Sequence, residues 1–319
     1  MKILIVGTGC IGQLYGHFLK QGGATVDACV RPRYADETRE GFRLYDRDRG
    51  FDDAEEFTPD AVKPGPESVD GQDYDAALLC IPSTGLRSPW LRKFAAAIGT
   101  TPVISLTPGL RDREKIAQHI PDDQIGVGLI TAVAYPAPLP GEDVDEPGTA
   151  YWLPPMAPAF FEGPGDIVEP VTNCLDKGGM KTRRVDEFTE KSAFGAAVLI
   201  PAVATLETLD WSLERLRSSR DERKLLKRAI DEAASAVENY LDTSRPLPLR
   251  FVGPSVLRGV LTAAPMMPPF DLETYLRVHF TKVGGQTRMA LDEFIDRRRL
   301  DDLESPALKQ LRETIGDVE

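Results

Sequence analysis

Three glycines, Gly7, Gly9 and Gly12, stand where a short apolar run, KILIV, meets a segment of helical pattern. A G-x-G-x-x-G spacing between a strand and a helix suits one kind of chemistry, the holding of a diphosphate. The first glycine makes the tight turn, the second lets the diphosphate approach the backbone, and the third lets helix and strand pack closely. Thr8, Cys10 and Ile11 complete the loop, so the candidate cofactor contacts are Gly7, Thr8, Gly9, Cys10, Ile11 and Gly12. The start of the helix supplies free N–H groups and a partial positive charge. An acidic residue ~20 positions further on would bind the ribose hydroxyls of NAD. This chain has Arg31 there, with Arg33 close by. A guanidinium binds a 2′-phosphate through paired charge-assisted hydrogen bonds, which a carboxylate would repel. The spacing therefore points to NADP(H). Asp27 is a competing carboxylate, but it falls inside the second apolar run.

The elements that must position this loop follow from the apolar pattern. Residues 2–6, 25–30, 76–81, 102–106 and 125–130 read as strands, and 11–21, 86–98 and 111–119 as helices. Strands alternating with helices make an α/β fold, a doubly wound and mostly parallel sheet covered on both faces. Residues 131–185 are rich in Pro and Gly. Within them YPAPLPGEDVDEPG reads as an exposed loop and TAYWLPPM as an edge strand, together a β-hairpin layer. From Asp186 the pattern becomes helical: one long buried helix through Arg217, capped by Asp186 and kinked at Pro201, then helices over 221–241, 271–281, 287–299 and 305–315. This gives a nucleotide-binding domain over 1–185 and an all-helical domain over 186–319 for substrate binding and dimerisation.

Composition removes other classes. With 38 Lys and Arg against 50 Asp and Glu, the net charge is -12, and a nucleic-acid partner is not expected. The longest apolar stretches fall short of the ~20 residues that cross a bilayer, so a cytoplasmic protein without a membrane partner is expected. Cys10, Cys29, Cys80 and Cys174 form no CxxC pair and read as buried thiols, not as metal ligands or disulfides. There is no HExxH, no GxSxG and no lysine-bearing phosphate loop, and His17, His119 and His279 lack metal-ligand spacing. No metal is expected. The apolar stretch 193–206 suits burial within one chain or across a homodimer, and a homodimer is expected.

The motifs GTGCIGQLYG, the strand ending at Arg31 and GFRLYD together resemble the opening of the ketopantoate reductase (2-dehydropantoate 2-reductase) family. LLCIPS, VISLTPGL, GLITA, TRMALDEFI and ESPALKQLRETI carry the likeness along the chain. The resemblance implies a Rossmann domain joined to a helical domain like that of 6-phosphogluconate dehydrogenase, with the active site in the cleft between them. It implies hydride transfer from NADPH to a 2-keto acid, with a lysine protonating the forming alkoxide; Lys191 matches that lysine. Pro82, in the loop after LLC, matches a cofactor contact, and Thr107, Thr287, Arg288 and Asp292 fall where the family places substrate-binding groups.

The chain also departs from the family pattern. IPSTG replaces the loop lysine, Pro108 stands at the asparagine of an Asn-Gly turn, and Gly195 and Leu199 stand at two further asparagines. Arg288 takes a serine position, and Leu300 that of a late glutamate. The expected substrate is therefore a small 2-keto acid or related carbonyl compound, not necessarily ketopantoate. A lysine at the head of a buried helix loses hydration, which disfavours its charged form and makes it a better acid. HFTKVGGQTR could hold a substrate carboxylate through Lys282 or Arg288, with Gly284 and Gly285 forming a turn inside it. The alternative is a catalytically degenerate NADP(H)-binding sensor or interaction protein.

Overall fold

A computed structural model describes residues 1–107, 109–186 and 188–317, with the backbone alone for 188–191. The chain divides into two compact units, Met1–Phe188 and Thr189–Glu319.

Among its described residues the first unit holds twelve strands: Lys2–Val6 (β1), Thr25–Val30 (β2), Phe42–Asp46 (β3), Ala54–Phe57 (β4), Ala61–Pro64 (β5), Ala76–Leu79 (β6), Val103–Ser105 (β7), Ile125–Leu129 (β8), Val133–Ala137 (β9), Gly148–Trp152 (β10), Ala159–Glu162 (β11) and Thr182–Arg184 (β12). Eight form one sheet in the order β12-β11-β8-β7-β6-β1-β2-β5. All its pairings are parallel except β8 with β11. Ile3, Leu4 and Ile5 are fully buried, as an unbroken apolar strand at the centre of a two-sided sheet must be. Each such side chain contributes roughly 1.5–3 kcal/mol.

The other four strands form a second sheet, β4-β3-β10-β9. Helix α1, Cys10–Gln21, packs against both sheets. Gly16 allows this, because a methyl group there would meet the Phe57 ring at 2.3 Å.

Several expectations are corrected here. TAYWLPPM is not an edge strand: β10 pairs with β3 on one side and β9 on the other. The expected exposed loop begins inside β9, where Tyr135 is fully buried. Pro136 is tolerated because β9 lies at the sheet edge, where a missing N–H costs nothing. Strands β3, β4, β5, β11 and β12 and the helix Gly165–Gly178 add to the elements expected from the apolar pattern. Helix 86–98 is a 3-10 segment, Ser83–Arg87, followed after Pro89 by the helix Trp90–Ile98.

The described residues of the second unit are helices and connectors. The long helix runs Phe188–Thr208, continuous through Pro201. It does not reach Arg217, because Asp210 and Trp211 turn left-handed at φ 54° and 64°. Ser212 then caps a new helix, Leu213–Ser218. The capping place given to Asp186 abuts Glu187, which lies outside the described residues. Ala193, Ala197, Val203 and Leu206 are buried within the chain, so most of the apolar 193–206 stretch is core.

Helix Arg220–Leu241 buries Ala229, Ala233 and Ala236, small residues that let Gly284–Leu300 approach closely. Glu232 accepts the amides of Ala307 and Leu308 at 3.1 and 2.9 Å, capping the helix Pro306–Ile315 from a distance. Gly284 and Gly285 open a helix and are not a turn. The helix Pro254–Ala263 is a further addition to the expected elements.

Candidate functional site

Strand order reverses at β1, which has β2 and β5 on one side and β6, β7 and β8 on the other. The carboxyl ends of β1 and β6 flank the crevice where such sheets bind ligands. The glycine loop lies at that reversal. Gly7 has φ +91°, a conformation that other residues adopt only under strain, and its N–H donates to the Cys29 carbonyl at 2.9 Å. A Cβ on Gly12 would lie 1.9 Å from the Gly7 oxygen, so the helix can pack on the turn only with glycine there. Gly9 is different. Its position faces open space, with nothing within 4 Å of an added Cβ.

Gly9 is the N-cap of α1, and no side chain caps that helix. The first turn carries no acid. The amides of Ile11 and Gly12 therefore have no intrahelical acceptor. Open space above uncapped amides is the cradle a diphosphate needs, and the residues present fit one.

The loop is braced by polar residues that sequence reasoning missed. Gln13 is 9% exposed, donates to the Thr8 carbonyl at 2.9 Å and accepts from Thr149 Oγ1 at 2.6 Å. Thr38 Oγ1 donates to the Tyr34 carbonyl, so the Thr8 hydroxyl donates to Thr38 at 3.2 Å. A glutamine on the buried face of an apolar helix was the available signal.

Arg31 is exposed at the end of β2, with no ion pair among the described residues. Arg33 is exposed and stacks over the Tyr34 ring at 4.7 Å. Asp27 is 3% exposed, accepts from Tyr74 Oη at 2.9 Å and faces Lys2 at 3.4 Å. It is committed inside the sheet, and burial followed by the bond to Asp27 pushes the Tyr74 phenol up. Pro82 is exposed in the loop after β6. Thr107, after β7, shares a 2.6 Å hydrogen bond with Ser105. All four cysteines are free of disulfides, and burial, reinforced by Glu67, pushes the Cys29 thiol up to about 12.

The second unit corrects the substrate-binding expectation for Arg288. This side chain is 8% exposed and donates to Glu207 at 2.6 and 3.1 Å and to the carbonyls of Gly284, Ile315 and Gly316. Those bonds use all five guanidinium hydrogens, leaving none for a substrate carboxylate. Asp292 accepts from Arg312 at 3.0 Å, and Thr287 is 2% exposed inside its helix. His279 stacks with Tyr275 at 5.3 Å, and burial, then Lys282, holds its imidazole below the usual range. Lys191 lies in the first turns of Phe188–Thr208. Its side chain, with Glu187 and Pro108, is outside the described residues. Among the described residues no group of His, Cys, Asp or Glu could hold a metal ion, and no helix is long and apolar enough to cross a membrane.

The sheet order and the glycine loop are those of the Rossmann class. Residues 3–140 match the model of ketopantoate reductase PanE/ApbA. Residues 3–140 thus carry a domain of the ketopantoate reductase family. No protein with a curated description matches it. Similar solved structures span nearly the whole chain at low identity. The ternary structure of a D-mandelate dehydrogenase with NADH and anilino(oxo)acetate has TM-score 0.74 and 16% identity, covering 99% of this chain and 97% of that one. A PanE/ApbA family ketopantoate reductase from Ralstonia eutropha JMP134 has TM-score 0.75 and 18% identity, with the same coverage. A 2-dehydropantoate 2-reductase from Geobacter metallireducens GS-15 has TM-score 0.72 and 16% identity, covering 99% of both chains.

Proposed function

We propose that this protein is an NADPH-dependent reductase that delivers hydride to the carbonyl of a small 2-keto acid or related compound. The observation that carries the reading is the uncapped start of α1 beneath the open face of Gly9. Membership in a family of oxidoreductases acting on CH-OH groups supports the reaction class. The exposed Arg31, with Asp27 already committed to Tyr74, supports NADP(H) over NAD(H).

In this reading the amides of Ile11 and Gly12 hold the diphosphate. Arg31, assisted by Arg33, binds the 2′-phosphate. Pro82 and Thr107 lie on the loops that border the other half of the crevice. NADPH, when bound, supplies the hydride. Lys191 donates a proton to the carbonyl oxygen as negative charge develops on it. The carboxylate is held by groups other than Arg288, whose hydrogens are used internally. That commitment also favours the second reading, an NADP(H)-binding sensor or interaction protein without turnover. A homodimer joined through the helical unit is supported by its exposed Leu247, Phe251, Met266 and Met267, which are 66–83% accessible.

The deciding experiment is NADPH oxidation, followed by absorbance, against a panel of 2-keto acids that includes ketopantoate. Turnover of a panel member is expected. Coenzyme binding with no turnover of any member would favour the sensor.

A further inference from the structure

The loops after β6 and β7 are joined by a buried polar knot that the family resemblance does not supply. The Asp112 side chain is 3% exposed and Ser83 is fully buried. Ser83 Oγ donates to Asp112 Oδ2 at 2.5 Å, and the Gly109 amide donates to the same oxygen at 2.8 Å. Arg87 Nη1 donates to Asp112 Oδ1 at 2.6 Å and to the Ser83 carbonyl at 2.7 Å. Gly109 is required for this arrangement, since a Cβ there would lie 2.5 Å from Asp112 Oδ1.

The knot leads to the diphosphate loop. Ser83–Arg87 follows Cys80 and Ile81 with only Pro82 between. The Cys80 amide donates to the Val6 carbonyl at 2.9 Å. A Cβ on Gly7 would sit 2.9 Å from Ile81 Cγ2 and 3.1 Å from the Cys80 oxygen. Holding Ser83 and Arg87 therefore holds the residues packed against the first glycine.

A dinucleotide lies across the reversal point, one mononucleotide on each half of the sheet. The β1–β2 half, with Arg31, takes the adenosine. The β6–β7 half takes the nicotinamide. We infer that Asp112 is a positioning residue: with Ser83 and Arg87 it fixes the loops after β6 and β7 as the preformed wall for the nicotinamide half of the coenzyme. The inference rests on the dinucleotide reading above. Without the knot, part of the binding free energy would go into ordering those loops.

The test uses Asp112→Asn and Ser83→Ala in the full chain. In Asp112→Asn an NH2 faces either the Arg87 donor or the Gly109 donor, so one side of the knot is broken in both orientations. Ser83→Ala removes a single hydroxyl and serves if the first variant fails to fold. Calorimetry would measure the affinity for NADPH and for adenosine 2′,5′-bisphosphate, which carries the adenosine half alone; circular dichroism would establish folding.

For folded variants NADPH binding is expected to weaken about tenfold or more, the scale of one hydrogen bond to a charged group. The bisphosphate should lose much less than NADPH, since the knot reaches its half of the site only through the packing of Cys80 and Ile81 against Gly7. NADPH affinity unchanged in the folded variants, or equal losses for both ligands, would overturn the inference. Failure of the unmutated protein to bind either ligand would instead overturn the dinucleotide reading, and this inference with it.

Discussion

Replacing Arg288 with Ala separates a structural arginine from a substrate-binding one. The change removes five hydrogen bonds and leaves Glu207, whose side chain is 23% exposed, without its cation. Deleting one partner of a buried ion pair costs roughly 3–5 kcal/mol, and partial access of Glu207 to water favours the lower end, about 3 kcal/mol. The helical unit spans residues 189–319. For roughly 130 residues the unfolding entropy is about 0.27 kcal/mol/K, so about 3 kcal/mol lowers Tm by about 11 °C. Scanning calorimetry reads the shift. Arg288→Lys should recover only part of it, because one ammonium cannot replace a five-donor fork. An unchanged Tm together with a large rise in KM for an acid substrate would refute this assignment and return Arg288 to the substrate.

Further outcomes follow from the same geometry. Arg31→Asp should weaken NADPH by about 10–100-fold, the scale of a lost charge-assisted contact, while NADH changes little; equal losses in a titration of both coenzymes would remove the 2′-phosphate argument. Lys191→Ala should lower kcat by roughly 10²–10⁴-fold with coenzyme affinity nearly intact, as expected for a lost general acid; unchanged kcat in steady-state kinetics would exclude it. Gly12→Val would force a side chain into the space held by the Gly7 oxygen, 1.9 Å from an added Cβ, and should abolish coenzyme binding; normal binding by that variant would contradict the close packing of turn and helix. Reducing agents should leave Tm unchanged, because the four cysteines carry no disulfide; a fall in Tm on reduction would show otherwise.

The first half of the fold was readable because its signals are local. An apolar pentad followed by G-x-G-x-x-G requires a buried strand, a tight turn and a helix, and β1 and α1 lie where that pattern puts them. What escaped depends on partners distant in sequence. Strand β10 is interior only because β3, about a hundred residues earlier, pairs with it. Thr149 and Gln13 meet across 136 residues. The break after Thr208 depends on two left-handed residues, Asp210 and Trp211, neither of them the glycine that would announce one. Arg288 looked available because HFTKVGGQTR gathers polar side chains around two glycines, but its acceptors include Glu207 and the carbonyls of Ile315 and Gly316. The Ser83–Asp112 knot was hidden for the same reason, two loops meeting only once the sheet is assembled.

One titration bears most directly on the whole reading: calorimetry of the purified protein with NADPH and, separately, NADH. Saturable binding of NADPH, tighter than that of NADH, is the expected result. No heat from either coenzyme would mean that the open amides at the head of α1 do not hold a diphosphate.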